Sequence, residues 1–252
     1  MHLDVLGLNN FYSDTVLGQF TKKRLQESIK KLWGNSLSGR IAGYGFTPPI
    51  LSPFAAISTN ILCLMPGHQG VMAWPTDQQN CSVLVEETSW PLETGTIDRL
   101  VILHGLETSE KLQDLFQEIW RVLAPSAKVI FIVPNRSGWW ARSEATPFGQ
   151  GRPFSIRQLK NQLVANRFKV GRNVTALHAP PVERLHLLRV ADFLENLGGQ
   201  FYSQLGAGVL LLEATKQIYA LNSPALSTIV SRPINVLEEL TDPKPVSKSL
   251  DG

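Results

Sequence analysis

Cysteine is scarce: there are two among 252 residues, Cys63 and Cys81. Both lie in apolar runs, which points to buried free thiols rather than a disulfide framework, and to a reducing, cytoplasmic setting. Charge is sparse as well, at 18% of residues against 43% hydrophobic. That balance excludes a disordered chain. No apolar run approaches the ~18 residues of a membrane span. The longest, 206–214, suits a buried strand. The first ten residues carry Asp4 and no basic cluster, unlike a signal peptide. There is no His/Cys/Asp cluster with metal-ligand spacing, no serine or cysteine nucleophile motif and no internal repeat.

What is present is an alternation of apolar runs and helical patterns. Apolar Val16, Leu17, Phe20, Leu25, Ile29 and Leu32 predict an N-terminal helix over 11–33, stopped by Gly34. Strands are expected at 40–45, 60–65, 81–85, 99–104 and 127–133, with a helix over 109–123. These strands are continuously apolar rather than alternating, as in a parallel sheet covered on both faces. A long polar and aromatic loop follows at 135–154. Ser155 and Gln158 form a capping box for a helix through Val164. Further elements are expected at 168–177 (strand), 182–197 (helix) and 209–212 (strand), the last extended by 216–220. The fold class is therefore α/β: a doubly wound, mainly parallel seven-stranded sheet with an antiparallel strand pair near the C-terminus. The expected organisation is one domain over 1–221, with a cofactor-binding half at 39–135 and a substrate-side half at 136–221. Proline-rich 222–252 reads as a flexible tail.

Charge is unevenly divided. Residues 1–118 sum to −4 and residues 119–252 to +7. The segment 121–172 holds ten basic residues and a single acid, Glu144. It is either a solvated basic face or a surface for an anionic partner, such as an acidic acceptor, nucleic acid or a membrane surface.

The first expected strand ends Gly43-Tyr44-Gly45, where glycine permits a tight turn and close approach to a ligand. The run from Glu86 to Leu92, then Asp98, then Leu100 to Glu107, then Arg121-Val122-Leu123-Ala124-Pro125 resembles the class I S-adenosylmethionine-dependent methyltransferases, in particular their type 11 branch. The resemblance spans 39–135. The runs at 43–48, 65–70 and 135–158 resemble a subgroup of methyltransferase-like proteins from α-proteobacteria. It implies S-adenosyl-L-methionine as cofactor, held by Gly43, Tyr44, Gly45, Met65, Glu86, Glu87 and His104, with Glu86 facing the adenine. Where the family carries a carboxylate for the ribose hydroxyls, this chain has Met65, and a thioether is a weak acceptor. Weak cofactor binding is the consequence.

Tyr12, Trp139, Trp140, Arg142 and Arg152 are the substrate-side candidates. Each has a plain alternative. Tyr12 closes over the site or packs in the core. The tryptophans stack on an acceptor, dip into a lipid interface or pin their loop. The arginines clamp an anion or form ordinary salt bridges. His104 lines the pocket or merely ends a strand, and Glu107 is a pocket base or a helix-terminal charge. Three functions follow: transfer of a methyl group to an unknown acceptor, a methyltransferase-like binding or scaffold protein without catalysis, and an NAD-binding oxidoreductase. The last is weakened by Thr47-Pro48-Pro49, where a third glycine would open a helix. Gly43, Gly45, Met65, Glu86 and His104 are expected around one cavity with Tyr44 and Phe46 at its floor. If it is open, Met65→Asp strengthens ligand binding. If the chain's own side chains fill it, the non-enzymatic reading gains.

Overall fold

A computed structural model describes residues 3–34, 38–55, 60–182 and 206–217. The expected helix at 182–197, most of the 216–220 extension and the 222–252 tail lie outside them. Five strands, β1 (Ile41–Gly45), β2 (Ile61–Pro66), β3 (Ser82–Val85), β4 (Ile97–Leu103) and β5 (Leu123–Pro134), pair in parallel. β6 (Phe168–Ala176) and β7 (Val209–Lys216) complete the sheet. β7 runs antiparallel to both β5 and β6. The strand order is β3-β2-β1-β4-β5-β7-β6. The winding reverses between β1 and β4, so the ligand crevice of an open α/β sheet falls at their carboxyl ends.

The central strands β1, β2, β4, β5 and β7 are largely buried because both faces of the sheet are covered there. Ile41, Cys63, Met65, Val101, Leu103, Ile130, Ile132 and Leu211 point into one core. Their neighbours Ala42, Tyr44, Leu64, Leu100, Ile102, Val129, Phe131 and Leu212 point into the other. Alternation at a period of two thus feeds two apolar layers. The first core also holds α1 (Val5–Asp14), α2 (Val16–Trp33) and α3 (Pro48–Ala55); the second holds α4 (Leu112–Val122) and α5 (Ile156–Ala165). Burial in the first core pushes the Cys63 thiol up to about 12, leaving it inert near neutral pH.

Two N-terminal helices replace the single one expected over 11–33. Thr15 is extended (φ −98°, ψ 144°). Its hydroxyl donates to the Phe11 carbonyl (2.7 Å) and accepts from the Gly18 amide (2.9 Å). A side chain that satisfies backbone groups in this way ends one helix and starts the next. Gly18 makes the corner possible, since a Cβ there would lie 1.7 Å from the Phe11 carbonyl oxygen. α3 is not apparent in the proline-rich sequence of 48–55. Pro48 and Pro49 occupy its first turn, where a helix has no use for their missing N–H groups.

Glu118 on α4 pins the 90–92 segment. Its carboxylate accepts from the Trp90 amide (2.6 Å) and from Arg121 Nε and Nη2 (2.8 and 2.6 Å). Burial opposes ionisation, but the hydrogen bonds from Arg121 and Trp90 outweigh it and hold the carboxyl below the ordinary glutamate range. The unfolded chain therefore binds this proton more readily than the folded one. The resulting stability is complete above the ordinary value of about 4.3 and lost as pH falls through the folded value. Replacing Glu118 by Gln is expected to cost about 1–2 kcal/mol at pH 7, discounted for the partly exposed Arg121. The gap from wild type should close below about pH 4 in urea melts.

Candidate functional site

β4 ends at Leu103, and His104 turns the chain with φ 56°, a left-handed conformation that costs a non-glycine residue energy. The turn brings the imidazole and Glu107 together: His104 Nδ1 lies 3.1 Å from Glu107 Oε1. On its other side, His104 Nε2 lies 2.7 Å from the Tyr12 hydroxyl, delivered by α1 from 92 residues away. A carboxylate only accepts, so Nδ1 carries the proton and the Tyr12 hydroxyl donates to Nε2. Burial, then the nearby Glu107 charge, raises the Tyr12 phenol well above its ordinary value, which keeps it a donor. The His104 carbonyl accepts from Gln69 Nε2 and from Thr108 Oγ1.

Aromatic rings enclose this relay. Tyr12 stacks on Phe46 at 5.9 Å and 20°, and Phe148 lies 4.7 Å from the His104 ring. Trp140 meets Phe148 edge-on and donates from Nε1 to the Ala179 carbonyl (2.7 Å). Tyr12, Phe46 and His104 are wholly buried, and Gln69, Glu107, Trp140 and Phe148 are 1% exposed. The place beyond β1 and β4 is thus taken by the chain's own side chains.

The expected site residues divide into three groups. Tyr12, His104 and Trp140 join the buried cluster. Met65 lies in the same core, fully buried, beside Leu84 in register. Tyr44 does not narrow the floor of this cavity: strand alternation turns it to the opposite face, where it stacks on Trp90 at 4.7 Å. Glu86 is exposed. Glu87 accepts from the Ser109 hydroxyl and the amides of Glu110 and Lys111, so it caps the approach to α4. Trp139 is 59% exposed, and Arg142 and Arg152 lie at the surface, not in the cluster. Gln69, Phe46, Glu107 and Phe148 complete the enclosure. Gln69 and Phe148 belong to short runs that stand out in the sequence, but nothing local says that their side chains turn inward.

An adenosyl cofactor does not fit these residues. Met65 offers no carboxylate and is sealed in an apolar layer. The space at Gly43 is filled, since a Cβ would meet Thr47 Oγ1 at 1.9 Å and Leu51 Cδ1 at 2.8 Å. Gly45 (φ 86°) faces the Leu103 carbonyl rather than a cavity. Pro48 and Pro49 carry no N–H, and the amides of Ile50 and Leu51 donate to the Thr47 carbonyl (3.1 Å each). The helix start that would cradle a dinucleotide's phosphates therefore has no free amides to offer.

Two members of the basic segment 121–172, Lys128 and Arg136, stand toward opposite ends of β5. Lys128 pairs in register with Thr215 near one end of β5, and Arg136 follows the other end, where Pro134 pairs with Val209. Arg121 is bound to Glu118, while Lys128 and Arg172 lie 3.6 and 3.7 Å from Glu213. Among the described residues, no helix is long and apolar enough to cross a membrane, and no group of three potential ligands could hold a metal ion.

No family model and no curated protein matches this chain. Solved structures do. A possible histamine N-methyltransferase from Thermotoga maritima aligns with 80% of this chain and 92% of its own (TM-score 0.57, 14% identity). A putative S-adenosylmethionine-dependent methyltransferase from Listeria monocytogenes aligns over 79% and 100% (TM-score 0.56, 12%). The [4+2]-cyclase SpnF aligns over 80% and 82% (TM-score 0.54, 13%). The chain has the class I methyltransferase fold. At these identities the fold does not carry the reaction with it, and one of the three neighbours is described as a cyclase.

Proposed function

We propose that this chain is a methyltransferase-like binding or scaffold protein that has lost methyl transfer from S-adenosylmethionine. The observation that carries the reading is the filled crevice: Tyr12, Phe46, Gln69 and His104 stand where the fold receives its ligand, all buried. Met65 in place of the ribose acid supports it, as do the prolines opening α3. The same prolines weigh against an NAD-binding oxidoreductase. Calorimetric titration with S-adenosylhomocysteine and with NAD(H) tests the reading. Neither ligand is expected to bind the wild-type chain tightly, and submicromolar S-adenosylhomocysteine binding would overturn it.

A second reading rests on one observation. An apolar plug would close a crevice at lower cost than a buried Glu107 carboxylate and its histidine, because burying charge is unfavourable. Buried ionisable pairs at a ligand crevice are a mark of function. On this reading the chain is an S-adenosylmethionine-dependent methyltransferase with an unknown acceptor, and α1 is a lid whose release opens the crevice. S-adenosylhomocysteine binding that appears only in Tyr12→Ala would favour it.

A further inference from the structure

Tyr12 behaves as a ligand that the chain supplies to itself. Its ring lies against Phe46, its hydroxyl reaches a bare imidazole nitrogen, and Glu107 fixes the tautomer that leaves that nitrogen bare. The helix that delivers it is separable. α1 has ten residues, too few to be stable alone. It breaks from α2 at Thr15, and at its start the Val5 amide donates to the Gln69 carbonyl (2.6 Å).

A second observation is independent of Tyr12. Glu107 Oε2 and Gln69 Oε1 are buried and have no hydrogen-bond partner among the described residues. Buried acceptors of this kind ask for a donor. Glu107 meets His104 at Nδ1, the ring nitrogen away from the phenol, and Gln69 meets the His104 carbonyl, so both acceptors without donors belong to side chains that hold His104 in place.

We propose that the chamber beneath α1 is a binding site for a small hydroxyaromatic molecule, which takes the place of Tyr12 on His104. The aromatic walls select a flat ring, and the Nε2 acceptor selects a hydroxyl. In the wild type the tethered Tyr12 competes at high effective concentration, so outside ligands bind only by displacing α1. The inference deepens the binding reading above. S-adenosylhomocysteine calorimetry tests that reading and phenol binding tests this one, so each fails separately.

The test uses the full chain carrying Tyr12→Ala, with p-cresol and toluene as probes. p-Cresol is the tyrosine side chain itself, and toluene is the same molecule without the hydroxyl. The expected result is that p-cresol binds at least about tenfold more tightly than toluene, the discrimination of a site whose polar group is otherwise left unpaired. Adding His104→Ala should abolish the preference for p-cresol. Equal binding of toluene and p-cresol, or no binding of p-cresol to a folded Tyr12→Ala chain, overturns the proposal. Should that variant not fold, imidazole ¹⁵N shifts in the wild type and in Tyr12→Phe decide. A protonated Nδ1 with a bare Nε2 supports the proposal, and a protonated Nε2 overturns it.

Discussion

Met65→Asp is expected to destabilise the fold by about 3–5 kcal/mol, the range for an uncompensated charge in a core. Met65 is fully buried in the apolar layer that also holds Cys63 and Leu103. A carboxylate there must either remain ionised without a partner or take up a proton at a cost. Met65→Leu nearly conserves volume and should cost less than about 1.5 kcal/mol. Urea melts of the two variants separate charge from shape. The sequence alone favours the opposite outcome, a restored ribose acid and tighter ligand binding, but only for an open crevice. A Met65→Asp variant within about 1 kcal/mol of wild type would mean that water or a ligand reaches the site, and the closed reading would fall.

Gly18→Ala should cost about 2–3 kcal/mol, near the upper end for overpacking. In an ordinary helix the same change gains up to about 1 kcal/mol, so the sign itself is diagnostic. The added Cβ meets the Phe11 carbonyl oxygen at 1.7 Å and its carbon at 2.5 Å, both backbone atoms that cannot rotate away. Relief requires α1 to move relative to α2, and α1 carries Tyr12. Thermal melts give the stability. Loss of the near-ultraviolet tyrosine signal, compared with Tyr12→Phe, shows whether Tyr12 has left His104. A Gly18→Ala variant more stable than wild type would mean that the corner at Thr15 is not tight.

Much of the sheet is legible in the sequence because its signals are local. Continuous apolar runs such as Val129 to Val133 need no distant partner to be recognised as strands buried on both faces. The Ser155–Gln158 capping box forms as its spacing implies, with both reciprocal hydrogen bonds present. α3 is hidden because proline signals a break, although its first-turn position makes proline permissible. The break at Thr15 is hidden because hydrophobic spacing runs on across it. The candidate site is legible in its parts and not in its assembly. Tyr12 and His104 can each be singled out, but a hydrogen bond across 92 residues depends on how α1 docks. Tyr44 lies on the face opposite to the one expected because a single residue at a strand end decides which layer it enters.

Closure of the crevice by the chain itself, without the groups for an adenosyl ligand, has a measurable consequence. On the proposed reading, the absence of two charge-assisted hydrogen bonds to the ribose, about 1.5–3 kcal/mol each, is expected to lower affinity by roughly a hundredfold to ten-thousandfold before the cost of displacing Tyr12. Calorimetric titration of S-adenosylhomocysteine into the wild-type full chain measures this directly. The expected result is no saturable heat below about 100 μM ligand, whereas a Kd of about 1 μM or tighter would contradict the account.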